Sequence, residues 1–222
     1  GAFFDEWDES RHVLQDSKFW LAKIPRLAPV FRAFDWGSAK PFSVGWYALS
    51  DGTWGLPRNA LLKFQEWYGA SGPNKGLKLT AEAVAQGIVE REKVMPWRVS
   101  YGVADPAIFT RDGGPSIAEL MMIHRVSWRR ADNKRKAGWE QLHHWLRGFS
   151  HSEGQVDQPM LYFLSQCEDT IRTLPVLQHD EIDSEDLDTD GEDHAADETR
   201  YAVMSRPHLP KVPTPQGANL PK

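Results

Sequence analysis

The stretch Val30 to Gly37 reads Val-Phe-Arg-Ala-Phe-Asp-Trp-Gly, a short apolar run that is driven into a carboxylate and then stopped by a glycine. Apolar runs of this length, bounded by turn residues, predict a strand, here about Phe31 to Phe34, with Asp35 left at the edge of a sheet. Pro41 opens a second aromatic-rich run, Phe42 to Leu49, closed by the turn signal Asp51-Gly52, and Leu61 to Trp67 supplies a third. Three strands joined by short turns predict an antiparallel meander.

From Thr80 the period changes. Ala81, Val84, Ala85 and Ile88 fall at i, i+3, i+4 and i+7 behind Thr80 as N-cap, which predicts an amphipathic helix to about Glu92. Met95-Pro96 ends it, and Trp97 to Ala104 reads as a strand reached by a helical crossover, hence parallel to the first, ending on Asp105-Pro106. Ser116 to His124 and Lys136 to Arg147 read as helices, and Pro159 to Leu164 as a strand buried on both faces. Helices at about Cys167 to Leu174 and Glu192 to Ser205 complete the set. This order matches a ribonuclease-H-like α/β fold, a mixed sheet of about five or more strands, three antiparallel and then parallel, flanked by helices. At 222 residues and 41% hydrophobic the chain can bury one core. Residues 1–29 are expected to be a lead-in, 30–205 the domain, and 206–222 a proline-rich extended arm.

Asp35, Asp105 and Asp193, which opens the last helical run, are the candidate metal ligands and catalytic residues. An aspartate at one strand end is most often a turn cap; three in this order point to a site. Three carboxylates suit Mg²⁺ or Mn²⁺, hard cations that prefer oxygen. Two such ions about 4 Å apart bind the attacking water and the leaving oxygen of a phosphodiester displacement. Asp197 stands one helical turn beyond Asp193 and is a candidate fourth ligand or supporting group. Asp190 and Glu192 compete with Asp193, while Glu66, closing the third strand, is expected to be exposed at the edge. His194 is placed to hydrogen-bond a ligand or a phosphate.

Net charge is −5, which argues weakly against a nucleic-acid partner, but the two signs are segregated along the chain. Arg125 to Arg147 holds seven basic residues (Arg125, Arg129, Arg130, Lys134, Arg135, Lys136 and Arg147) against Asp132 and Glu140, a candidate phosphate-binding surface. Trp128 and Trp139 within it are candidates for base stacking or for packing. Asp180 to Glu198 holds eleven acids and no Lys or Arg, and its run 180–190 is expected to be a solvated loop that repels DNA until metal binds. The single cysteine, Cys167, excludes an internal disulfide framework and reads as inert packing. No run approaches the roughly 18 apolar residues of a membrane helix, and the N-terminus is acidic where a secretory signal is basic, so a soluble intracellular protein is expected.

Phe34-Asp35-Trp36-Gly37, Tyr101-Gly-Val-Ala-Asp105-Pro, Ala131-Asp-Asn-Lys-Arg135 with Gly138-Trp139, and Glu192-Asp-His-Ala-Ala-Asp197-Glu-Thr-Arg200-Tyr201 together resemble the C-terminal nuclease domain of a tailed-bacteriophage terminase large subunit. The resemblance covers about residues 30–205. It implies a metal-dependent endonuclease that cuts concatemeric viral double-stranded DNA during packaging in the bacterial host cytoplasm, with Asp35, Asp105 and Asp193 as the catalytic carboxylates. The implied partners are DNA, the terminase ATPase domain, the small terminase subunit and the portal, with no membrane. Gly69-Ala-Ser-Gly-Pro-Asn-Lys-Gly lacks the spacing of a phosphate-binding loop, so no ATP hydrolysis is expected, and Phe3 to Pro29 resembles the segment that follows an ATPase domain. Two rivals share these features: another nuclease or strand-transfer enzyme of the same fold, such as a junction resolvase or transposase core, and a noncatalytic module docking on a portal or capsid partner.

Overall fold

The computed structural model describes residues 1–150 and 152–211; most of the expected proline-rich arm lies outside them. The strands are β1 (Val13–Leu14), β2 (Val30–Asp35), β3 (Ser43–Leu49), β4 (Leu61–Tyr68), β5 (Ala70–Gly72), β6 (Lys75–Gly76), β7 (Val99–Ala104), β8 (Arg129–Arg130) and β9 (Leu161–Leu164). The helices are α1 (Glu9–His12), α2 (Ser17–Lys23), α3 (Ala81–Lys93), α4 (Ile117–Ile123), α5 (Arg135–Arg147), α6 (Glu168–Thr173) and α7 (His194–Met204). Seven strands form one sheet in the order β1-β9-β4-β3-β2-β7-β8. β3 is antiparallel to both neighbours and every other pairing is parallel, so β3 alone runs against the rest. The carboxyl ends of β2, β4, β7 and β9 therefore share one edge.

β2 is buried along its whole length because both sheet faces are covered, which is why its sequence reads as an unbroken apolar run. Val30 and Phe34 pack with Val84 and Ile88 of α3 and Met121 of α4 on one face; Phe31 and Ala33 pack with Trp139 and Leu142 of α5 and Ala196 and Tyr201 of α7 on the other. Arg32, which alternation sends to the first face, is buried there; it pairs with Glu92 of α3 at 2.8 Å and lies over the Trp128 ring at 4.7 Å. α3 begins at the expected Thr80 cap, which accepts from the Ala83 N–H, and α4 begins with a reciprocal capping box between Ser116 and Glu119.

The meander, the parallel return to β7 and the buried β9 stand as the sequence predicts. β1 and β8, two residues each, are too short to carry a pattern and are strands only because neighbours offer unpaired edges. The glycine-rich segment after β4 folds as the β5–β6 hairpin, with Asn74 at positive φ in its turn.

Residues before Val30 are part of the packed body: Phe3 and Phe4 are buried against α5, and β1 pairs with β9. His12 is buried with Nε2 2.7 Å from the Leu146 carbonyl and Nδ1 3.0 Å from the Asp8 N–H. If Nε2 carries the proton and donates to Leu146, Nδ1 is left as an acceptor, so the neutral ring satisfies both partners. Burial pushes its pKa below the ordinary 6.5. A depressed histidine contributes stability that is present above pH 6.5 and lost as pH falls through the folded value. His12→Gln should accordingly flatten part of the fall in melting temperature between about pH 7 and pH 5; parallel pH profiles for the two proteins would refute this. Among the described residues no helix is long and apolar enough to cross a membrane.

Candidate metal centre

On β2 the alternation that sends Phe31 and Ala33 toward α7 sends Asp35 there too. On β7, Tyr101 and Val103 pack on that same face, so Asp105, one step past the strand, follows them. Asp105 Oδ1 accepts from the Ala107 N–H at 2.8 Å and caps a short 3₁₀ turn, while Oδ2 accepts from the Tyr201 hydroxyl of α7 at 3.0 Å. Turn cap and site member are thus one residue. Asp193 occupies the N-cap position of α7, yet its side chain caps no helix N–H. Asp197, one turn on, accepts from Arg200 at 3.0 Å and lies 3.7 Å from Arg135.

Asp35 lies within reach of the charges of the other three. Burial, then the charges of Asp197, Asp193 and Asp105, raise Asp35 well above the usual carboxylate range. Burial and Asp197 push Asp193 up to about 6. His194 Nδ1 stands 3.6 Å from Asp35 and 3.8 Å from Asp193, and its Nε2 lies 2.8 Å from Asn74 in the β5–β6 turn. Like charges brought together at a buried edge are costly, and a bound cation is one way such a cost is offset. All four residues offer hard oxygen donors, the set that suits Mg²⁺ or Mn²⁺. They are spread more widely than a single tight shell, since no three of them place ligand atoms within 4.8 Å of one another.

The structure separates the competing carboxylates. Glu192 is occupied, accepting from the Tyr68 hydroxyl at 2.8 Å and from Arg172 at 2.7 Å. Asp190 is exposed, whereas Asp193 is buried. Glu66 is not at an exposed edge as expected: its side chain is 5% exposed and its oxygens accept from the N–H groups of Asp169 and Thr170, holding the start of α6. Among the described residues the group that does place three possible ligand atoms within 4.8 Å is Asp5, Glu6 and His143. There Glu6 pairs with His143 at 2.8 Å and Arg147 at 3.0 Å, an arrangement that ties the N-terminal segment to α5.

A buried charge network beneath α7 is not foreseen by the sequence patterns. Lys63 of β4, wholly buried, donates to Glu198 of α7 at 2.8 Å and to Thr170 at 2.6 Å, with Glu66 at 3.5 Å. Tyr47 donates to the other Glu198 oxygen. Burial opposes the charge on Lys63, but Glu198 and Glu66 outweigh it and hold its pKa above the ordinary range. Gly45 of β3 makes the room, because a Cβ there would run into the Glu198 carboxylate. The available signal is a lysine inside Leu-Leu-Lys-Phe and a glutamate on the apolar side of α7. Cys167, beside this network, is buried, and burial pushes its thiol well above its usual range.

The basic stretch divides in two. Arg135 pairs with Asp186 at 3.0 Å, Lys136 with Asp183 at 2.7 Å and Glu185 at 3.3 Å, and Trp139 donates to Asp186 at 2.9 Å. The acidic run is therefore folded onto α5, with Leu187 buried behind it, rather than free in solvent. Trp128 and Trp139 are buried and are core residues. Arg125, Arg129, Arg130 and Lys134 are exposed. Arg130 pairs level with Ala104, next to Asp105, and its guanidinium lies over Phe109 at 4.5 Å. If this exposed group grips DNA, alanine at Arg129, Arg130 and Lys134 together should lower the salt slope of binding by up to about 2.7, at about 0.9 per phosphate. Alanine at Arg135 and Lys136 should leave that slope nearly unchanged. Equal effects from both sets, measured by anisotropy of a labelled duplex, would defeat the division.

No family model and no curated protein sequence matches the chain. By structure it is similar to the large terminase from the thermophilic bacteriophage D6E, with TM-score 0.67 at 17% identity over 92% of this chain and 44% of that one. The same protein in complex with ATP-gamma-S gives 0.67 at 17% identity over 91% and 45%. The P22 large terminase nuclease domain gives 0.66 at 16% identity over 93% and 92%. The chain thus spans less than half of the D6E protein and nearly the whole of the P22 domain. At this identity the likeness is one of fold, the mixed ribonuclease-H-like α/β sheet expected from the order of elements.

Proposed function

We propose that this chain is a metal-dependent DNA endonuclease domain that cuts concatemeric viral double-stranded DNA during genome packaging. The observation that carries the reading is the convergence of Asp35, Asp105, Asp193 and Asp197 on one edge of a sheet whose fold is shared with a solved large terminase nuclease domain. Asp35, Asp105 and Asp193, with Asp197 as a fourth ligand or supporting group, would hold Mg²⁺ or Mn²⁺. When bound, two such ions activate a water and neutralise the charge on the departing 3′ oxygen. The protein's own part is orientation. Tyr201 holds the Asp105 carboxylate, Arg200 holds Asp197 from a fully buried position, and His194 stands between Asp35 and Asp193. Arg130, exposed on the strand beside β7, would meet a phosphate in this reading. An ATPase domain, a small terminase subunit and a portal are the partners this reading implies.

Supercoiled plasmid should be nicked and linearised with Mn²⁺ or Mg²⁺ and poorly with Ca²⁺, whose larger, looser shell holds reacting oxygens less tightly. Undiminished cutting in excess chelator would overturn the metal assignment, and no cutting with any ion would favour a docking module.

A further inference from the structure

We propose a second nucleic-acid contact, a phosphate-backbone seat along the β7–β8 side of the sheet, formed by Arg26 and Arg98 at its amino end and by Arg129, whose guanidinium reaches back over Tyr101. It rests on the endonuclease reading above and extends it to the path of the DNA. The three arginines come from separate places in the chain: the turn before β2, the residue before β7, and β8. They stand around one cavity of about 480 Å³, with Tyr101 and His208, whose remaining lining is mostly apolar and includes Leu27, Pro29 and Phe31. The chain carries 31 acids against 26 Lys and Arg, yet among the described residues no Asp or Glu lines this cavity. The contrast with α5 is direct, because Arg135, Lys136 and Arg147 there each have a carboxylate partner. Arg129 instead lies over the Tyr101 ring at 4.6 Å, which leaves its guanidinium edge available to an anion.

Position along the sheet selects a polyanion over a small one. Tyr101 and Asp105 are four residues apart along one strand direction, about 13 Å at about 3.3 Å per residue. Phosphates along one strand of a duplex repeat every ~3.4 Å of helix axis, and that span corresponds to about four base pairs. Arg130 is level with Ala104 and Arg129 with Val103, while Arg98 precedes β7. A backbone laid along the β7–β8 edge with one phosphate at the carboxylates would meet Arg129 and then Arg98 and Arg26, whereas Arg130 faces the opposite side of the sheet over Phe109. The acidic edge repels DNA, and this seat would supply the holding force.

The test is Arg26→Ala/Arg98→Ala in the whole chain, with Arg26→Lys/Arg98→Lys as the charge-preserving control. Binding of a labelled duplex of about 30 base pairs is followed by anisotropy in EDTA across a salt series, and plasmid cutting is followed separately in Mn²⁺. The alanine pair should lower the salt slope by up to about 1.8, two phosphates at about 0.9 each, the lysine pair should restore it, and cutting at saturating protein should persist. Wild-type slope and affinity in the alanine pair would overturn the seat while leaving the endonuclease reading intact. So would loss of binding to polyglutamate with DNA binding unchanged, which would make the cavity a dock for an acidic protein. Absence of metal-dependent cutting by the wild-type protein would overturn the endonuclease reading, whereas the slope measurement would still judge the seat.

Discussion

Asp35→Asn should lower metal-dependent DNA cleavage by more than about 100-fold and, in the absence of metal, raise the melting temperature. The loss follows from position. Asp35 is buried, and it is the carboxylate on which the other three act together. Loss of a group that merely supports a metal ligand costs about 10- to 100-fold, so loss of a ligand should exceed that. The gain in stability follows from the same geometry. A carboxylate whose pKa is raised by burial and by three like charges is destabilising when ionised, and asparagine keeps the shape while removing the charge. Lower activity with higher stability separates this outcome from simple unfolding, which would lower both. Retained cleavage in the Asp35→Asn variant, or a clear fall in its metal-free melting temperature, would remove Asp35 from the centre of the site.

The second large effect is expected at the Lys63–Glu198 pair. Removing one member of a buried ion pair strands the other charge, at a cost of about 3–5 kcal/mol. Lys63→Met should therefore destabilise the protein by that amount in urea unfolding, and Glu198→Gln by less, because an amide can still bond Tyr47 and Lys63. Lys63→Met combined with Glu198→Leu should recover most of the loss, since two apolar groups of similar volume leave only Glu66, whose oxygens keep the N–H groups of Asp169 and Thr170. Additive losses in the double variant would show that the two residues do not act as a pair. Glu198 adjoins Asp197 and lies on the same short helix that Asp193 precedes, so the single variants should also cut more slowly under conditions where they remain folded. A double variant restored in stability but not in rate would assign the pair a part in orienting α7.

Much of this architecture is legible in the sequence because it is written in local patterns. The apolar run ending at Asp35, the aromatic run of β3 and the i, i+3, i+4, i+7 spacing of α3 each report a backbone period and a buried side. Sequence position favours Asp193 over Glu192, but the physical reason appears only with the fold, where Arg172 and Tyr68 occupy Glu192. Glu66 misleads because a carboxylate at a strand end looks exposed until a helix start arrives above it. The basic stretch misleads in part for the same cause: Lys136 and Arg135 look like solvent-facing cations until acids that lie 49 and 51 positions away fold over them.

The sequence by itself determined the order and type of the main elements, the strand-end positions of Asp35 and of Asp105, and the segregation of charge, since each depends on residues within a few positions of one another. Tertiary structure alone decided that β1 and β8 are strands, that the acidic run neutralises part of α5, that Lys63 meets Glu198, and that Arg26, Arg98 and Arg129 share a cavity. Those outcomes depend on which distant groups are brought within a few ångströms, and a charge takes its meaning from the neighbour that burial gives it, which no local period encodes.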